Sequence, residues 1–158
     1  MAEPRNRPAA AADRPEASPS DSAGSSKLRK SEWRAVRDRV TVVFDALAAD
    51  GIVALHEAGQ TQEDGFADCA EASDGRAGVI GFCFYTRQDA KRAKRARRLA
   101  LAFWGAPGGD PEDMERVGTM VVAAFRRHGF VVQWDGTGAT RPVVDLTVTR
   151  WRAGLPRH

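Results

Sequence analysis

Residues 77–85 (AGVIGFCFY) and 99–104 (LALAFW) are apolar at nearly every position, where a half-exposed strand would alternate. A strand of that kind buries both faces and needs cover on each, which a sheet packed by helices supplies. These two runs restrict the chain to an α/β domain, with α+β as the neighbouring arrangement. The remaining pattern supplies the helices.

From Ser31, a candidate N-cap followed by Glu32, apolar residues recur at three and four: Trp33, Val36, Val40, Val43, Phe44 and Leu47. That is one buried face of a helix, and Gly51 ends it. Residues 52–55 (IVAL) read as a first strand, and residues 63–71 as a short helix burying Phe66, Ala67 and Ala70. Thr86 can cap a helix carrying the basic run that follows it. Asp110, Pro111, Glu112 and Asp113 then open a helix as cap, first-turn proline and acids facing the positive dipole end. Met114, Val117, Val121, Ala124 and Phe125 form its stripe, His128 lies in its last turn as a dipole partner, and Gly129 stops it. A C-terminal β-hairpin follows, FVVQW and RPVVDLTVTRW around Asp135-Gly136. In its second strand Val144, Leu146 and Val148 alternate with Asp145, Thr147 and Thr149, as on an edge strand. The expectation is one domain over residues 31–152, with a mixed sheet of about five strands and helices packed on it. Residues 1–30, mostly Ala, Pro, Ser and Arg with little to bury, read as a disordered tail, and residues 153–158 as a short C-terminal one.

The chain has 158 residues, 24 Lys and Arg against 21 Asp and Glu, and two cysteines. Two thiols at no repeated spacing make no disulfide framework, which favours a reducing, cytoplasmic setting. The N-terminus has no signal-type apolar core, and no window approaches the roughly eighteen apolar residues of a membrane helix. Charge is unevenly spread. Residues 87–98 (RQDAKRAKRARR) hold seven basic side chains and one acid, while residues 57–74 hold six carboxylates and no Lys or Arg.

Several clusters invite a chemical reading. His56, Glu57, Glu63, Asp64, Asp68 and Cys69 follow a strand end, but their spacing fits no zinc or calcium pattern, so no metal is expected. Cys83 lies mid-strand between two phenylalanines, where a thiol is core, and no serine sits in a nucleophile elbow. The loop from Gly105 to Asp110 joins a strand to a helix, yet Asp110, Glu112 and Asp113 would repel a phosphate. No cofactor is expected. The basic run, Arg87, Lys91, Arg92, Lys94, Arg95, Arg97 and Arg98, allows weak phosphate contact, but it has no interleaved aromatic and at helical spacing spreads around the axis. The polar residues at strand ends are the better candidates: His56, Thr61 with Gln62, Tyr85 with Gln88 and Asp89, Trp104, Trp134 with Asp135, and Arg141. Strands ending in Tyr85, Trp104 and Trp134 would gather these on one rim if they ran parallel. The competing account has Asp89 cap its own helix and Arg141 pair with Asp135 across the hairpin.

Taken in order, GIVALHEAGQTQED, FCFYTRQDAKRA, LALAFWG and GFVVQWDGTGATRPVV resemble a family of uncharacterised bacterial proteins classed as a domain of unknown function, over residues 31–152. Matched by position, its residues here are Ala58, Gly59, Thr61, Gly65, Tyr85, Gln88, Asp89, Gly105, Trp134, Gly136 and Arg141. The resemblance implies the domain limits and no activity. The reading that follows is a non-catalytic protein-binding or regulatory module of immunity type, whose partner is another protein and not a membrane. Its alternative is a small enzyme acting on a small molecule or nucleic acid, with a rim of His56, Tyr85, Asp89 and Arg141.

Overall fold

The first helix begins where the expected stripe begins. The computed structural model describes residues 27–147. The expected tails, apart from residues 27–30, and Val148 and Thr149 of the hairpin lie outside them. Helix α1, Lys30–Ala49, buries Trp33, Val36, Val40, Val43, Phe44 and Leu47, all six residues of the periodic set. Its start is fixed by Glu32, whose carboxylate accepts the Arg29 N–H at 2.9 Å, so Ser31 lies inside the helix and is not its cap. Packing begins earlier than Ser31: Leu28 is only 5 % exposed, and its N–H donates to the Lys94 carbonyl at 2.7 Å.

Strand β1, Ile52–Leu55, leads through a polar loop to α2, Gln62–Ser73. That helix turns Gly65 and Cys69 inward, not Phe66, Ala67 and Ala70 as the sequence suggested, and Phe66 is 40 % exposed. The reason is local: the Phe84 ring lies so close to Gly65 that a Cβ there would sit 2.3 Å from it. Only glycine lets α2 come down on this face. Strand β2, Gly81–Phe84, is buried throughout, and α3, Arg87–Ala96, follows at once.

The apolar run 99–104 divides. Strand β3, Arg98–Ala100, and strand β4, Ala102–Gly105, belong to different sheets, joined at the fully buried Leu101, whose N–H donates to Pro142 O at 2.9 Å. Helix α4, Pro111–Arg127, then strands β5, Val131–Gln133, and β6, Val143–Asp145, complete the described fold. In place of one five-stranded sheet there are two of three strands, ordered β1-β2-β4 and β3-β6-β5. In the first, β1 and β2 run parallel and β4 antiparallel. In the second, the expected hairpin pairs β5 with β6, and β6 is central, not an edge. Val144 in it and Leu146 just past its end are buried. The fold is α+β, a single domain with its main core between α1, α4 and both sheets, and a smaller one under α2.

Candidate functional site

The carboxyl ends of β1 and β2 are sewn together by backbone. Ala58 N–H donates to Tyr85 O at 2.8 Å, and Arg87 N–H to Gly59 O at 3.0 Å. Just beyond this seam Thr86 caps α3: its hydroxyl accepts the Asp89 N–H at 3.0 Å while the Asp89 carboxylate accepts the Thr86 N–H at 3.0 Å. Both side chains are buried. The rest of the Asp89 carboxylate is taken by Arg141, whose guanidinium donates to both oxygens, at 3.2 and 2.7 Å. Arg141 also donates to the carbonyls of Leu101 and Ala100, the junction between the sheets. Burial alone would raise the Asp89 pKa, but the hydrogen bonds from Arg141 and Thr86 outweigh it and hold the carboxyl below its ordinary value. Arg141 therefore clamps α3 to the β3–β4 junction and does not pair with Asp135.

Asp135 is occupied within its own loop, accepting from the Thr137 N–H and from the hydroxyls of Thr137 and Thr140 at 2.9, 2.9 and 2.6 Å. The nearer acid in sequence lost to the one that faces Arg141 in space.

A second polar group lies between α1 and the loop after β1. His56 Nδ1 is 2.6 Å from the Tyr85 hydroxyl, and Nε2 is 2.9 Å from the Thr41 hydroxyl. Thr41 spends its hydrogen on the Arg37 carbonyl, 2.8 Å away, so it can only accept from the ring. The imidazole hydrogen is thus on Nε2, and Nδ1 accepts from Tyr85. Burial and the Arg37 charge lower the His56 pKa to about 4, against a smaller opposing pull from Asp45. Burial likewise pushes the Tyr85 phenol up. Tyr85 has no exposed surface, so it is a core residue with a satisfied hydroxyl and not part of an open rim. Beside it Glu57 sits at φ 46°, a left-handed conformation that is strained for a residue with a Cβ, and its carboxylate is 3.7 Å from Arg37. Arg37 and Thr41, one turn apart on α1, were not anticipated. Their only signal was polar residues at i, i+4 beside an apolar stripe.

The remaining candidates separate. Because Gly81 pairs with Gly105, Trp104 lies beside Phe82 at the opposite end of β2 from Tyr85, in ring contact with Phe66 and Phe82. Trp134 follows β5 of the other sheet, its indole N–H on the carbonyls of Thr137 and Thr140. Thr61 caps α2, accepting the Asp64 N–H at 3.1 Å, and Gln62 is the first residue of that helix. The single rim of Tyr85, Trp104 and Trp134 does not form, since only β1 and β2 are parallel.

The basic run does not spread around its helix. Ala90 and Ala93 face inward with Asp89, while Arg87, Gln88, Lys91, Arg92 and Arg95 are exposed. Lys94 is half-buried over the Trp33 ring, and Arg97, at the left-handed end of α3, is 9 % exposed and 3.8 Å from Glu32. With Glu57 and Gln60 the outer residues line a shallow groove of about 480 Å³. Arg87, Lys91 and Arg95 have no ion-pair partner among the described residues.

Both thiols are buried, and burial pushes Cys69 up to about 12 and Cys83 still higher, which keeps them unreactive. The turn before α4 is a cap: Asp113 accepts the N–H groups of Gly108 and Asp110. Among the described residues no three His, Cys, Asp or Glu side chains are placed to hold a metal ion, and no helix is long and apolar enough to cross a membrane.

What these features define is an α+β domain whose buried polar groups serve its architecture and whose helix α3 presents a row of exposed basic side chains. The chain belongs to the family described as Domain of unknown function (DUF6891), whose model matches residues 14–153. No curated protein and no solved structure matches it.

Proposed function

We propose that the domain is a non-catalytic protein-binding module, of regulatory or immunity type, that docks an acidic partner surface on the outward face of α3. The observation that carries this is the sorting of α3 itself. Its alanines are turned in, and Arg87, Lys91 and Arg95 stand at i, i+4, i+8 on the solvent side without ion-pair partners among the described residues. Unpaired cations in a row contribute little to stability and much to the rate and specificity of encounter with an opposite charge. The groups with reactive chemistry are turned the other way: Tyr85 and Asp89 are buried and hydrogen-bonded, which supports a scaffold more than a catalyst.

The test replaces Arg87, Lys91 and Arg95 together by Glu and compares binding of a poly-glutamate peptide and of a nucleic-acid duplex of equal charge. The proposal expects the peptide to bind the wild type and not the variant, with melting unchanged. Sequence-selective, tight duplex binding near physiological salt would replace the protein partner by nucleic acid, since phosphate contact alone gives weak, steeply salt-dependent association. The enzyme reading draws on one observation, the 2.6 Å contact between His56 and Tyr85. It requires the phenol to reach a substrate, and Tyr85→Phe would then abolish activity while leaving α3 binding intact.

A further inference from the structure

A second groove, of about 530 Å³, runs between α4 and Trp134, lined by Thr119, Val122, Ala123, Arg126 and Arg127. We infer that it is a peptide-binding site, built for an acidic segment of a partner protein that presents one apolar side chain beside a carboxylate. It is separate from the α3 face and goes beyond that reading.

The wall is a Trp134 ring that is already fixed. Its N–H is held by the carbonyls of Thr137 and Thr140 at 3.1 and 3.3 Å, and its plane stands at 89° to Phe103, centroids 5.8 Å apart. It rests on Gly118, where a Cβ would lie 2.6 Å from the ring. A side chain immobilised in the free protein loses no further rotamer freedom on binding, which is how aromatic anchors gain affinity. The floor is small and apolar: Val122 is buried, and Thr119 and Ala123, four apart on the outer face of α4, leave room where larger residues would form a ridge.

The chemistry of the open end comes from two guanidinium groups. Arg126 Nη2 donates to Val132 O at 2.9 Å, which holds the group in place while its other N–H groups remain to donate. Arg127 is exposed beside it. Both complement the negative end of the helix, and that accounts for their charge. It does not account for a fixed indole and a cleared floor one to two turns away. An apolar wall and floor ending in planar, bidentate donors match a hydrophobic side chain followed by a carboxylate. The groove is open along one side, so it suits an extended chain more than an enclosed small molecule.

The probe is an acetylated pentapeptide with one Phe and two Asp, titrated into the full chain and followed by the indole N–H resonances in ¹H–¹⁵N spectra, because the chain has four tryptophans. The inference expects the Trp134 indole and the α4 amides from Thr119 to Arg127 to move, with millimolar or tighter affinity. It expects a weakening of roughly tenfold or more in Ala123→Trp, which fills the groove, and in Arg127→Glu, an exposed position whose charge reversal costs the helix end little. The Arg87, Lys91, Arg95 triple variant should bind this peptide as the wild type does, so failure on α3 and failure here are distinguishable. No movement of the Trp134 indole at saturating peptide, or shifts confined to α3, would overturn the site, as would binding that survives replacement of both Asp by Asn.

Discussion

Removing the Asp89 carboxylate should cost this domain a large part of its stability. In Asp89→Ala four hydrogen bonds vanish together, of which the long one from the exposed Arg92, 3.4 Å, adds least. The Thr86 N–H loses its side-chain acceptor, which for a helix cap is worth about 1 kcal/mol. The two hydrogen bonds from Arg141 are charge-assisted and come to roughly 1.5–3 kcal/mol together in net terms. The guanidinium is then left with only the Leu101 and Ala100 carbonyls. Full burial of such an orphan would bring the loss toward 3–5 kcal/mol, but the Arg141 side chain is 27 % exposed and water recovers part of it. We therefore expect a loss of about 3 kcal/mol, a substantial share of the 5–15 kcal/mol typical of a domain, and a fall in melting temperature of about 10 °C.

Asp89→Asn keeps an oxygen for the cap and loses mainly the charge, so it should cost roughly half as much. Arg141→Ala leaves the acid buried with its cap bonds and Arg92, and the two single losses should exceed the double-mutant loss by about 1–3 kcal/mol. Urea denaturation followed by circular dichroism, with the slope unchanged between variants, measures wild type and all four variants. An Asp89→Ala variant within about 0.5 kcal/mol of wild type would refute the structural reading and return Asp89 to the list of functional acids.

How far this was legible in the sequence differs by element, for physical reasons. The α1 stripe and the capped start of α4 depend on neighbours three and four residues away, so local spacing contains them. The fate of 99–104 does not depend on spacing. An apolar run says that both faces are covered, and not that Leu101 passes the chain from one sheet to another. The Asp89–Arg141 clamp joins residues 52 apart, and the nearer Asp135 was the natural partner until Thr137 and Thr140 took it. Those two threonines after an Asp-Gly were the missed signal, since Asp side chains close turns on their own following residues. On α3 the inner stripe was present as Ala90, Ala93 and Arg97, but alanines give weak contrast and an arginine hid the third position. The groove against Trp134 needs Gly118, which in one dimension is only a glycine inside a helix.

Three further outcomes follow from the same contacts. A chain begun at Ser31 loses the buried Leu28 and should be weaker than one begun at Lys27 by roughly 2–3 kcal/mol; equal melting of the two would refute its place in the core. Gly118→Ala gains helix propensity but drives a methyl into Trp134, so it should destabilise by roughly 1–3 kcal/mol; a stabilised variant would show that the indole is not seated there. The last concerns acid. His56 is neutral in the folded state down to about pH 4, while in the unfolded chain it takes up its proton near the ordinary value of 6.5. Stability contributed by this residue is therefore complete above about pH 6.5 and is lost as the pH falls from there to about 4, below which it changes no further. At full burial that difference would amount to about 3 kcal/mol, and partial exposure of the ring reduces it to roughly 1–2 kcal/mol. His56→Gln removes the titration, so the gap between wild type and variant should narrow or reverse between pH 6.5 and 4 against a common background of carboxylates. Nitrogen-15 spectra at neutral pH should place the ring hydrogen on Nε2, as the Thr41 hydroxyl demands. A parallel decline of both proteins with acid, or a hydrogen on Nδ1, would show that the Tyr85–His56–Thr41 chain does not run in the direction its acceptors require.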